Sequence, residues 1–139
     1  MNSLKVADYM HRYPVTFTAD MPIEMAVDRL IQAKQLGGPV IDAERNIIGF
    51  ISEQDCLSQM LMSTYHNQQS SKVMDAMHKE VLTVRPYEDI IDLAQLMLLA
   101  KPKLYPVVDD NECLIGIISR TDVLAAIDKE LHSHYGKVT

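Results

Sequence analysis

One stretch of this 139-residue chain occurs twice, and that repetition limits what the chain can fold into. Ile48-Gly49-Phe50-Ile51-Ser52-Glu53-Gln54-Asp55 returns as Ile115-Gly116-Ile117-Ile118-Ser119-Arg120-Thr121-Asp122, so Gly116 minus Gly49 sets an offset of 67 residues. The offset holds without a gap well beyond the stretch. Val6 falls on Val73, Asp8 on Asp75, Met10-His11 on Met77-His78, Thr16 on Thr83 and Ile23 on Ile90. Further on, Ala33-Lys34 falls on Ala100-Lys101, Pro39-Val40 on Pro106-Val107 and Asp42 on Asp109. One structural unit is therefore used twice, with repeat 1 in residues 1–66 and repeat 2 in residues 67–139. A unit of half this length buries too small a share of its surface to be stable alone, so the halves are expected to share a core.

Within each copy an apolar run ends in Ser-x-x-Asp. The run reads as a buried strand, and Ser-x-x-Asp followed by Leu57, or by Val123 and Leu124, reads as a capping box that opens a helix. From Pro22, the positions Ile23, Ala26, Val27, Leu30 and Ile31 follow the i, i+3, i+4, i+7, i+8 spacing of an amphipathic helix, with Asp20 as its expected cap and Gly37-Gly38-Pro39 as its stop. Before it lie a short lead-in helix at Lys5 to Met10 and an extended Pro14 to Thr18. After it come strands at Val40-Ile41 and Ile47 to Ile51, then a helix from Ser52 expected to bury Leu57, Met60 and Leu61. Ser63 to Ser71 reads as a linker. Repeat 2 predicts extended Val81 to Val84, a helix from about Glu88 to Ala100, strands at Pro106 to Val108 and Leu114 to Ile118, a helix from Ser119, and a polar tail from His132. Ile90, Ile91, Leu93, Leu96, Met97, Leu98 and Leu99 make the first helix of repeat 2 apolar nearly all round. Such a helix needs burial on more than one side, and a second copy of the chain is the expected cover, giving a homodimer.

Composition closes several classes of function. Thirteen Lys and Arg against 19 Asp and Glu leave a formal charge of −6, which argues against broad binding to nucleic acid or an anionic membrane. No apolar run approaches the roughly 20 residues that span a bilayer, and the N-terminus, with Asp8 and Asp20, lacks a secretory apolar core, so a cytoplasmic location is expected. Cys56 and Cys113 are not repeat equivalents and stand in no ligand spacing, so both read as reduced packing residues. The sequence holds no phosphate loop, no His-Glu-x-x-His and no Gly-x-Ser-x-Gly. The expectation is a non-enzyme without a metal site. His11 and His78 recur by repetition and read as structural, and His132-x-His134 reads as part of the tail rather than a metal trap.

Taken together, the Val-x-Asp-x-Met lead-ins, the Pro-Val strands ending in Asp42 and Asp109, and the paired Gly-x-x-Ser-x-x-Asp segments resemble a tandem pair of cystathionine β-synthase-type (CBS) domains, the arrangement called a Bateman module. The resemblance covers roughly residues 5–130. It implies an α/β fold of two pseudo-twofold-related βαββα units packed through their sheets, disc-shaped dimers, and two quasi-equivalent sites for adenosyl compounds such as AMP, ADP, ATP or S-adenosylmethionine. It further implies a regulatory role, which for a chain carrying nothing else means an effect on a separate partner protein.

The chemistry of the expected sites follows from residue type. A carboxylate has two acceptor oxygens, so Asp122 or Asp55 at a helix start suits the two ribose hydroxyls. Ser119 and Ser52 add hydroxyls, unpaired backbone N–H groups favour phosphate, and Gly116 and Gly49 permit close approach to the strand. The resemblance pairs Thr16 with Asp122 in site 2, and Thr83 with Asp55 in site 1. Site 2 carries Arg120, a fixed cation suited to phosphate, whereas site 1 has Glu53 there and looks to Arg85 for compensation. For this reason site 2 is preferred. Before the Pro-Val strands stand Gly38 in site 1 and Tyr105 in site 2, and Tyr105 either stacks on adenine or fills the slot. Lys101 and Lys103 are weaker candidates for phosphate, and Mg²⁺ is a possible companion of a phosphate chain. The rival reading is a ligand-free scaffold or dimerisation module in which Ser-x-x-Asp only caps helices.

Overall fold

The computed structural model describes residues 4–66, 71–100 and 102–136. A 3₁₀ turn at Val6–Asp8 leads into helix α1 (Ile23–Ala33), strands β1 (Gly37–Ile41) and β2 (Ile47–Ser52) and helix α2 (Glu53–His66). Then follow α3 (Val73–Ala76), α4 (Ile90–Leu99), β3 (Leu104–Val108), β4 (Leu114–Ser119) and α5 (Arg120–Gly136). The order of helix, two strands and helix expected for each repeat is present. The strands form two separate two-stranded sheets, β1 with β2 and β3 with β4.

Packing divides the chain into two compact units that do not follow the repeats. The repeat-1 unit comprises residues 14–82 with 112–114, and the repeat-2 unit comprises residues up to 13, 83–111 and 115 onward. Each lead-in therefore packs with the other repeat's helices and strands. In the repeat-2 unit, Val6 N–H donates to the Glu88 carbonyl (3.0 Å), Ala7 to Pro86 (2.8 Å) and Ile90 to Leu4 (2.7 Å). In the repeat-1 unit the same bonds recur at the 67-residue offset: Val73 to Met21 (2.8 Å), Met74 to Ala19 (2.9 Å) and Ile23 to Ser71 (2.9 Å). Both valines are fully buried, Val6 among Val84, Ile90, Tyr105 and Ile118, and Val73 among Phe17, Ile23, Val40 and Ile51.

Beside each hairpin, an extended segment and a lead-in complete the sheet. Phe17 bridges Val40 in parallel and His78 bridges Phe50 antiparallel in one unit, as Val84 bridges Val107 and His11 bridges Ile117 in the other. Gly38 and Tyr105, which are repeat equivalents, exchange bulk with Phe17 and Val84, which are also equivalents. A Cβ on Gly38 would lie 2.6 Å from the Phe17 ring, so that ring occupies the space which Tyr105 itself fills beside the smaller Val84.

Several local expectations are corrected. Asp20 does not cap α1: Pro22 takes the N-cap position without a side-chain bond, and Asp20 accepts instead from the Thr18 hydroxyl. Gly37-Gly38-Pro39 is not the stop but the start of β1; the helix ends at Lys34, left-handed at φ 54°, whose N–H returns to Leu30 and Ile31. Ile31 is exposed, so the core face of α1 is Ile23, Ala26 and Leu30. In α2, Leu57, Met60 and Leu61 are exposed and Cys56 is the residue buried. The capping box explains this phase: with Asp55 turned back to Ser52, Cys56 faces the core and Leu57 is carried about 100° around the helix. Equivalent Val123 and Leu124 in α5 behave alike, one buried and one exposed. α4 buries Ile90 and Leu93 and exposes Leu98 and Leu99. Of the expected linker, Ser63 to His66 is helical and residues 67–70 lie outside those described, and the expected tail is helical through Gly136.

Candidate functional site

Each strand that carries the repeated stretch runs straight into its helix. β2 ends at Ser52 and α2 starts at Glu53; β4 ends at Ser119 and α5 starts at Arg120. A reciprocal pair of bonds closes each junction. Asp122 Oδ2 accepts from the Ser119 N–H (2.8 Å), while the Asp122 N–H donates to Ser119 Oγ (3.1 Å). In repeat 1, Asp55 Oδ2 accepts from the Ser52 N–H (2.9 Å) and from the Ser52 hydroxyl (2.8 Å), and the Asp55 N–H donates to Ser52 Oγ (3.1 Å). This is a capping box with aspartate in place of the usual glutamate, and it pins each carboxylate at the first turn of a helix.

The other carboxylate oxygen is occupied as well. His11 Nε2 lies 2.8 Å from Asp122 Oδ1, and His78 Nε2 lies 2.9 Å from Asp55 Oδ1. Sequence reasoning set these histidines aside as structural recurrences. Repetition at the 67-residue offset marks both histidines, but their partners lie 111 and 23 residues away, so no local spacing points to them. Two paired backbone bonds fix each lead-in beside its strand: His11 and Ile117 exchange bonds of 2.8 and 2.9 Å, as His78 and Phe50 exchange bonds of 2.9 and 2.8 Å. The glycines serve this approach. A Cβ on Gly116 would stand 2.7 Å from the His11 carbonyl oxygen, and one on Gly49 would stand 2.7 Å from Met77 Sδ and 2.9 Å from the His78 carbonyl oxygen. The close neighbour of the strand backbone is thus the Met-His lead-in, a role the sequence reading had reserved for ligand.

The repeat-2 unit holds Asp122, Ser119, Arg120, Thr83, Arg85 and Tyr105; the repeat-1 unit holds Asp55, Ser52, Glu53, Thr16 and Gly38. Arg120 and Glu53 are exposed at matching positions, and Thr16 and Thr83 are half-buried. Arg85 is engaged locally, its guanidinium donating to the Asp109 carbonyl and its N–H to the Glu88 carboxylate. Tyr105 is fully buried in the core, and its hydroxyl has no hydrogen-bond partner among the described residues. The ring is enclosed by Val6, Ile90, Leu93 and Ile118. Behind Asp55, burial foremost and then the charges of Asp55 and Glu53 push the Cys56 thiol up to about 11. Cys56 and Cys113 are both free of disulfide. Lys103 is exposed, and Lys101 lies outside the described residues. Among the described residues no cluster of three metal-ligating side chains occurs, and no helix is long and apolar enough to cross a membrane.

Two helix-and-strand units, each with a carboxylate and a histidine at a strand-to-helix junction, define a tandem-repeat α/β protein. The chain belongs to the CBS domain family, whose model matches residues 6–61 and again 73–129. It is similar in structure to CBSX2 in complex with AMP, at 29 % identity and a TM-score of 0.80 over 91 % of this chain and 98 % of that one. CBSX2 from Arabidopsis thaliana, described as a CBS-pair protein, matches at 27 % identity and 0.80 over 94 % of this chain and 99 % of that one. In sequence it is 28 % identical over 132 residues to the uncharacterized protein MJ1426 of Methanocaldococcus jannaschii, covering 73 % of this chain and 79 % of that protein. Other relatives are longer. The chain is 25 % identical over 128 residues to the A-adding tRNA nucleotidyltransferase of Aquifex aeolicus, spanning 92 % of this chain but 15 % of that enzyme.

Proposed function

We propose that this chain is a regulatory module that binds an adenosyl ligand of the AMP class and transmits its occupancy to a separate protein. The observation that carries the reading is the duplicated capping box, which holds Asp122 and Asp55 as oriented carboxylates at helix starts, where ribose hydroxyls and a phosphate can be met together. The likeness to CBSX2, crystallised with AMP, supports the ligand class. Asp122 takes the ribose diol, Arg120 the phosphate, and Ser119 orients the carboxylate; Asp55 and Ser52 have the same roles in a site weakened by Glu53. The threonines carried over from the family resemblance, Thr16 for Asp122 and Thr83 for Asp55, belong to the same proposal. Exposed Leu57, Leu61, Leu98, Leu99 and Leu124 support a homodimer, and the cytoplasm is the location proposed for it.

A ligand that binds only the folded protein raises its stability by RT ln(1 + [L]/Kd), about 2.7 kcal/mol at one hundred times Kd. Thermal unfolding against AMP, ADP, ATP with and without Mg²⁺, and S-adenosylmethionine is the test. A saturating shift with one compound, lost in Asp122→Ala, is the expected result. No shift in protein free of copurified nucleotide refutes the reading and favours the scaffold, because the capping boxes alone account for Ser-x-x-Asp at about 1 kcal/mol each.

A further inference from the structure

We propose that His11 and His78 act as built-in competitors at these sites for the aspartate oxygen that a ribose hydroxyl would take, and so set the affinity for the ligand. The inference rests on the adenosyl-ligand reading above. A vicinal diol donating to a carboxylate uses both of its oxygens. Here Oδ2 is committed to the serine N–H, and Oδ1 of Asp122 and of Asp55 is met by imidazole Nε2 at 2.8 and 2.9 Å. Because a carboxylate only accepts, Nε2 must carry the proton and stand where the ligand's hydroxyl would donate.

Exposure sets the order of events. The His11 and His78 side chains are 67 % and 66 % exposed, whereas Asp122 and Asp55 are each 16 % exposed. The imidazole is the more exposed partner of each pair, so it can exchange with solvent while the carboxylate stays largely enclosed. The ring can leave without dismantling anything else, since the backbone of His11 stays paired to Ile117 and that of His78 to Phe50. A ligand hydroxyl that takes Oδ1 must displace the histidine, so the imidazole lowers affinity for ribose and 2′-deoxyribose ligands alike, at both sites.

The experiment is calorimetric titration of the full chain with AMP and with 2′-deoxy-AMP, in a background carrying Asp55→Ala so that only the Asp122 site is read. A partly exposed contact of this kind is worth about 0.2–1 kcal/mol, so His11→Ala is expected to bind AMP about 1.5- to 5-fold more tightly and to tighten 2′-deoxy-AMP by a similar factor. Weaker or unchanged AMP binding by His11→Ala, where binding still depends on Asp122, overturns the competitor and leaves the nucleotide reading standing. Absence of AMP binding in both proteins overturns the two together. A second measurement guards against a folding defect in the variant. In the otherwise unmodified protein, AMP is expected to move the His11 ring NMR signals toward their positions in ligand-free Asp122→Ala, and a ring that does not respond to saturating AMP refutes the displacement.

Discussion

Tyr105→Phe is expected to stabilise the protein. The ring is fully buried with Val6, Ile90, Leu93 and Ile118 around it, and its hydroxyl meets no partner among the described residues. A buried hydroxyl without a hydrogen bond costs about 1–3 kcal/mol in protein mutational series. Phenylalanine keeps the ring in place and removes that cost, so a gain of about 1 kcal/mol is the low end of expectation. For a chain of this size it raises Tm by roughly 2–5 °C. The alkaline side gives an independent check. Burial holds the Tyr105 phenol above its usual value of 10, so above that pH the unfolded chain releases a proton that the folded chain retains. Unfolding is then favoured as pH rises. The advantage of Tyr105→Phe should be constant below pH 10 and widen above it. Calorimetric melts at pH 7 and pH 10.5 measure both effects. A variant that melts at the same temperature as the parent, or lower, refutes the reasoning, because it means that the hydroxyl is already satisfied.

Three further outcomes are expected. Gly116→Ala forces a methyl group to 2.7 Å from the His11 carbonyl and should cost about 1–3 kcal/mol in urea unfolding, with the His11 ring signals displaced; a neutral substitution would mean that the lead-in does not lie against β4. Cys56, buried and shifted to about 11, should resist a disulfide reagent at pH 8 in the native protein and react once unfolded, so two fast-reacting thiols in the native state would contradict its placement. His132 is raised above 6.5 by the Asp128 carbonyl and carboxylate, so its contribution to α5 is present below pH 6.5 and fades as pH climbs through the raised value; His132→Gln should lower Tm at pH 5.5 and leave it unchanged at pH 8.5.

How much of this was legible in the sequence depends on the kind of interaction. The 67-residue offset and Ser-x-x-Asp located the junctions of β2 with α2 and of β4 with α5, because Ser-x-x-Asp is a local device whose partners sit three residues apart. What the sequence did not disclose are the consequences of these local bonds for packing, and the pairings between distant residues. The phase of α2 was set by Asp55 turning back to Ser52, which left Leu57 and Leu61 outside despite their hydrophobicity. Gly-Gly-Pro looked like a helix stop, but Gly38 is small because Phe17 occupies its space. His11 and His78 stand 111 and 23 residues from their aspartates, and no periodicity connects them. Repetition was visible in both histidines; which atom each would reach was not.

The exchange of lead-ins means that sequence order and packing order are out of phase. If residues 1–13 followed the C-terminus instead of preceding repeat 1, the chain would read as two almost uninterrupted packing units, 14–82 and then 83–139 continuing into 1–13. The natural chain is a cyclic shift of that arrangement. Cutting it at the repeat boundary would give each fragment the strap that belongs to the other, with Val6 and Val73 both facing water. Two such fragments could complete their cores only by lending those straps to each other, so a cut at the repeat boundary parts each packing unit from its lead-in.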